Sequence, residues 1–140
     1  MNIINPTDLP CWEYANLPPQ VQVFLQYGHL VGSQAYACLR GAPYEDSDWD
    51  ILIRPRLWRD MLEEHHDLTH QGGKHVSSFG GLKLKYPGAS GEVWLDIFPS
   101  PLEEYLRAAS DCRAHCYAID FEKEMVYHAA KHSLDADTDF

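Results

Sequence analysis

The chain has 140 residues, 45% of them hydrophobic, and a formal net charge of −10. That length predicts one domain with a core of its own. The acidity argues against strong binding of long DNA, which needs clustered Lys and Arg; no apolar run approaches the roughly 18–20 residues of a membrane span, so no membrane partner is expected.

In chain order, residues 1–19 are rich in proline and asparagine and are expected to be irregular, with Trp12 and Tyr14 as anchors on the body. They show no basic stretch followed by an apolar one, so no signal peptide is expected and the expected address is cytoplasmic. Pro18-Pro19 opens a predicted helix to about Tyr27, with Gly28 as its left-handed cap. Residues 29–31 read as a buried strand ending at Gly32-Ser33, 34–39 as a short helix, and 40–47 as a surface loop carrying Gly41, Pro43 and Tyr44. Residues 49–53 are β-branched and aromatic, hence a strand, which Pro55 stops. Leu57, Trp58, Met61 and Leu62 fit one face of a helix over 57–66.

Residues 69–81 are glycine-rich and read as a flexible loop, open to use as a lid. Residues 81–86 alternate as a half-buried strand, 87–91 form a turn, and 92–98 return as the second strand of a hairpin. A helix over 101–109 has Ser100 as N-cap and Glu103 as its capping-box partner. Residues 116–120 and 125–128 form a second small hairpin. The fold class expected is α/β, a central mixed sheet flanked by helices. The single domain divides into a core at about 18–110, a small β extension at 111–132 and an acidic tail at 133–140.

Three acids stand out. On a strand, residues two apart share a face, so Asp48 and Asp50 point one way and Trp49, Ile51 and Ile53 the other. Paired carboxylates repel, and a strand gains nothing structural from them. A hard cation reverses that interaction, carboxylate oxygens being normal ligands of Mg²⁺. Asp96 lies inside the apolar run Val93-Trp94-Leu95-Asp96-Ile97-Phe98, where a lone carboxylate is costly. Gly32-Ser33, after a strand and before a helix, has the backbone freedom and the N–H groups that favour a phosphate. Each feature alone has a plain reading: a solvated strand start, a paired buried acid, a tight turn. Their conjunction points to nucleotidyl transfer.

Those segments, Val31-Gly32-Ser33-Gln34-Ala35-Tyr36, Ser47-Asp48-Trp49-Asp50-Ile51 and Leu95-Asp96-Ile97, resemble the nucleotidyltransferase superfamily that includes DNA polymerase beta, in particular its minimal single-domain microbial and phage members. The resemblance covers about residues 18–100. It departs from the pattern in a longer Gly-Ser to Asp48 gap and in Tyr36-Ala37-Cys38 after the turn. The resemblance implies a nucleotidyltransferase-like fold and the transfer of an NMP from an NTP to a protein, RNA or small-molecule acceptor. Asp48 and Asp50 would bind two Mg²⁺ (or Mn²⁺) ions, Asp96 the ion that activates the acceptor oxygen, and Gly32 and Ser33 the phosphates. Arg40, Lys83 and Lys85 are cations placed to assist, each also readable as ordinary surface charge. The rival expectation is a catalytically weak module of the same fold, of the phage-inhibitor or antitoxin kind, that binds a protein or a nucleotide.

Other features carry less. The cysteines Cys11, Cys38, Cys112 and Cys116 include one C-x3-C but no second pair, so free thiols are expected rather than a zinc site. His65, His66, His70 and His75 read as solvent-facing, and Gly72-Gly73-Lys74 lacks the rest of a P-loop. The tryptophans read as core and anchors, with Trp94 on the Asp96 side of its strand and open to base stacking.

Overall fold

Proline starts two of the helices in this computed structural model, which describes residues 14–39, 41–45, 47–66, 75–76, 81–88, 91–111, 117–122 and 125–128. Pro19 and Pro55 lie in the first turns of α1 (Pro19–Leu25) and α3 (Pro55–Glu64), where a missing N–H costs nothing. Between them run β1 (Gly28–Val31), α2 (Gly32–Leu39) and β2 (Trp49–Ile53). After α3 come β3 (His75–Val76), β4 (Leu82–Gly88), β5 (Gly91–Pro99), α4 (Leu102–Asp111), β6 (Tyr117–Asp120) and β7 (Met125–His128).

Among the described residues, seven strands form one mixed sheet in the order β3-β4-β5-β2-β1-β6-β7. The β2–β5 pairing is parallel, and the other pairings are antiparallel. Alternation along the strands divides the core in two. One face presents Leu30, Trp49, Ile51, Ile53, Leu84, Leu95 and Ile97 to α1, α2 and α3. The opposite face presents Val31, Leu52, Phe98 and Ala118, which pack with Leu102, Tyr105 and Leu106 of α4. Each such side chain withdrawn from water contributes about 1.5–3 kcal/mol, so both faces hold their helices by burial. The expected α/β class, a mixed sheet flanked by helices, is what the chain adopts.

Several local expectations are corrected. Gly28 does not cap α1: it starts β1, and only Gly32 and Gly41 have positive φ among the described glycines. Its smallness serves the sheet instead, because a β-carbon there would stand inside the Leu52 carbonyl. Residues 69–81 are not loop throughout, since His75–Val76 pairs with β4. Pro87 and Gly88 belong to β4, so the β4–β5 strands reach Gly88↔Gly91 and leave a connection of two residues rather than five. Helix α4 opens at Leu102, later than expected, and the Ser100 hydroxyl donates to the Pro101 carbonyl at 3.1 Å. The 117–128 hairpin joins the central sheet, β6 pairing with β1.

Trp12, Arg40, His70, Gly72-Gly73-Lys74, Cys11, Cys112, Cys116 and the acidic tail lie outside the described residues. Cys38 is buried and in no disulfide. No helix among the described residues is long and apolar enough to cross a membrane.

Candidate active site

The parallel β2–β5 ladder sets Asp50 directly beside Asp96. Register partners on adjacent strands share a face, so the two carboxylates stand side by side. The same ladder position continues outward: Lys83 is the partner of Asp96 on β4, and Val31 is the partner of Asp50 on β1. One transverse row therefore reads Lys83, Asp96, Asp50, Val31. It lies on the face that α4 covers further along, and the neighbours of its apolar end, Leu52 and Phe98, are under that helix. Asp48, just before β2, completes the group from the strand's entrance, where Lys83 Nζ donates to Asp48 Oδ2 at 2.8 Å.

The electrostatics report the crowding. The Asp50 carboxyl is pushed up to about 7, first by burial, then by the negative charges of Asp96 and Asp48, with Lys83 acting in the opposite sense. Lys83 is raised, chiefly by its hydrogen bond to Asp48, and Asp96 and Asp50 contribute as well. Asp96 and Asp48 thus both oppose ionisation of Asp50, and the Lys83 ammonium offsets them in part.

The Gly-Ser turn abuts this group. Gly32 ends β1's run and begins α2 with φ +76°, and a β-carbon on it would lie 2.5 Å from Asp50 Oδ2. Only glycine combines that conformation with that approach. Ser33, next in α2, is exposed.

One positioning residue carried only a faint sequence signal. Gln34 is fully buried, and its side chain ties down the segment leading to Asp48. Its Nε2 donates to the Tyr44 carbonyl at 2.8 Å and the Ser47 carbonyl at 2.9 Å, while its Oε1 accepts from the Tyr44 N–H at 2.8 Å. A polar residue amid Ala35, Ala37 and Cys38 on a short helix was the available hint. The departure noted after Gly-Ser has a structural use: Tyr36 stacks on Tyr117 at 5.2 Å, and Cys38 fills the core.

Lys85 and Trp94 are register partners on the same face. The nitrogens of Lys83 and Lys85 lie 5.4 and 5.2 Å from the Trp94 ring centre. His65, expected in solvent, packs against the rings of Phe24 and Tyr27 and contacts the Tyr27 hydroxyl at 3.1 Å. A buried polar group occupies the other end of the acid-bearing face, where Asp120 Oδ2 meets Arg54 Nη2 at 3.3 Å and His29 Nδ1 at 3.7 Å. A cavity of about 420 Å³ lined by Tyr14, Leu25, Gln26, Phe121 and Glu122 has none of the three acids in its wall, and Tyr14 and Phe121 pack on the opposite core.

Among the described residues no group of three or more His, Cys, Asp or Glu side chains is arranged to hold a metal ion as it stands. The chemistry of the donor set nevertheless fits a hard divalent ion. Its donors are carboxylates only, and Asp50 is raised first by burial and then by the negative charges of Asp96 and Asp48. Asp48 is paired with Lys83 at 2.8 Å. No protein-family model, curated protein or solved structure matches the chain.

Proposed function

We propose that this chain is a metal-dependent nucleotidyltransferase, moving an NMP from an NTP to a protein, RNA or small-molecule acceptor with release of pyrophosphate. The observation that carries the reading is the Asp50–Asp96 register pair, crowded enough by burial and by Asp48 to push Asp50 up to about 7. A sheet gains no stability from such a group, whereas a cation between the carboxylates turns their repulsion into attraction.

In this reading Asp48, Asp50 and Asp96 hold Mg²⁺ or Mn²⁺. Bound there, the ions supply charge neutralisation and a clamp on the entering and leaving oxygens. Gly32 and Ser33 hold the β- and γ-phosphates through backbone N–H groups at the start of α2, and Lys83 leaves Asp48 to meet a phosphate oxygen. Arg40 is a second candidate cation. The acceptor oxygen bonds to the α-phosphorus, the bond from that phosphorus to the β-bridging oxygen breaks, and pyrophosphate leaves with the electron pair. Asp96 takes the acceptor's proton. Positioning and charge neutralisation provide most of the acceleration expected of phosphoryl chemistry.

A second reading draws on the Lys83–Asp48 ion pair, which already satisfies one of the acids. It is a module of the same fold that binds a nucleotide or a protein with little catalysis. One experiment separates the two: labelled ATP, CTP, GTP and UTP with Mg²⁺ or Mn²⁺ and a cell lysate as acceptor source. Transfer that disappears in Asp48→Ala and Asp96→Ala supports the enzyme. Nucleotide binding without transfer, indifferent to those changes, supports the module.

A further inference from the structure

We propose that Trp94, with Lys83 and Lys85, seats the base and sugar-phosphate of a free nucleoside triphosphate beside the acids. The proposal rests on the nucleotidyl-transfer reading and adds the subsite that would hold the donor. Trp94 and Asp96 are two residues apart on β5 and share a face, separated by about 7 Å of strand, the scale of a nucleoside from its base to its 5′ phosphorus. Across the ladder, Lys85 is the partner of Trp94 and Lys83 the partner of Asp96. The two ammonium groups come to 5.2 and 5.4 Å from the indole centre.

A single cross-strand cation on a ring is a common way to stabilise a hairpin. Here two of the five lysines in a chain of net charge −10 converge on one ring, and that ring is only half-buried. An apolar ligand would use the indole and ignore the ammonium groups. A simple anion would do the reverse. A nucleoside phosphate uses both, its base stacking on the ring whatever its identity and its phosphates drawing the lysines off it.

The test is calorimetric binding of ATP, inorganic tripolyphosphate and a short oligoribonucleotide to the full chain in the presence of Mg²⁺. Trp94→Ala is expected to weaken ATP about tenfold and leave tripolyphosphate within about twofold, as loss of one stacking partner does. Trp94→Phe retains most of the ATP affinity, and Lys85→Gln weakens both anions. Should the alanine variant fold poorly, Trp94→Leu keeps an apolar side chain without the π face and is expected to show the same selective loss. An ATP affinity unmoved by Trp94→Ala and Trp94→Leu overturns the proposal. So does an equal loss for tripolyphosphate, or a loss confined to the oligoribonucleotide. Label transfer, measured in parallel, separates the two levels. Transfer that needs the acids with a neutral Trp94 removes only this subsite, and Trp94-dependent ATP binding without transfer removes only the enzyme.

Discussion

Gly32 and Asp50 are pressed together so closely that a single methyl group on the glycine would stand 2.5 Å from Asp50 Oδ2. The turn and the acid therefore form one unit, and the turn can be damaged without touching a carboxylate. Gly32→Ala meets both that contact and a φ of +76°. It should lower stability by roughly 1–3 kcal/mol and abolish label transfer while every acid remains. Thermal melts and the transfer assay check it; a variant with full transfer would show that the turn does not position the site.

Asp50 gives a pH dependence with a definite sign. Its carboxyl is pushed up to about 7 in the folded chain from 3.8. Between those values the native state keeps a proton that the unfolded chain has released. Stability from this group is thus complete below about pH 4, declines as pH rises through about 7, and is flat above. Asp50→Asn removes the effect. The variant should match the parent near pH 4 and exceed it at pH 8 by on the order of 3 kcal/mol. Urea melts at the two pH values measure the difference, and an equal gap at both would contradict the assignment.

Lys83 holds Asp48 in a partly exposed ion pair of 2.8 Å. Such a pair is worth about 1 kcal/mol or less, so it delays a metal rather than excluding it. Lys83→Gln should raise Mn²⁺ affinity in the absence of nucleotide by up to about fivefold and weaken ATP binding. Mn²⁺ titration followed by electron paramagnetic resonance reads the first effect. A drop in Mn²⁺ affinity would mean that the lysine organises the acids instead of competing for them.

Gln34 is the hidden support of the segment that delivers Asp48. Gln34→Leu keeps the volume but strips the Tyr44 and Ser47 groups of their partners. A fully buried group so orphaned costs about 1–3 kcal/mol, and these part-buried ones less wherever the segment opens to water. The expected result is a loss of about 2–4 kcal/mol and faster amide exchange over residues 44–48, with β2 unaffected. Exchange that speeds up throughout the sheet would point to a general packing defect.

The parts legible in the sequence were those set by local chemistry. Strand β2 lies where its β-branched and aromatic residues and Pro55 put it, at Trp49–Ile53. A period of two along β2 put Asp50 on the face opposite Trp49, Ile51 and Ile53, and these three do lie in the other core. The adjacency of Asp50 and Asp96 did not, because a parallel register between strands so far apart in the chain depends on the whole sheet. Strand β3, at His75–Val76, is invisible for the same reason: it lies in a glycine-rich stretch and exists through its pairing with β4. Gly28 misled because a glycine after a helix usually caps it, whereas here the need is for closeness to Leu52 on the neighbouring strand. Gln34 escaped because one glutamine has no periodicity to betray it.

Among the described residues strand β2 is the middle member of the sheet, with three strands on either side. Fraying begins at margins and reaches such a strand last. Wear at the β3 or β7 border would therefore leave Asp50 and Asp96 abreast, and the pair should disperse only in the same cooperative event that dissolves the domain.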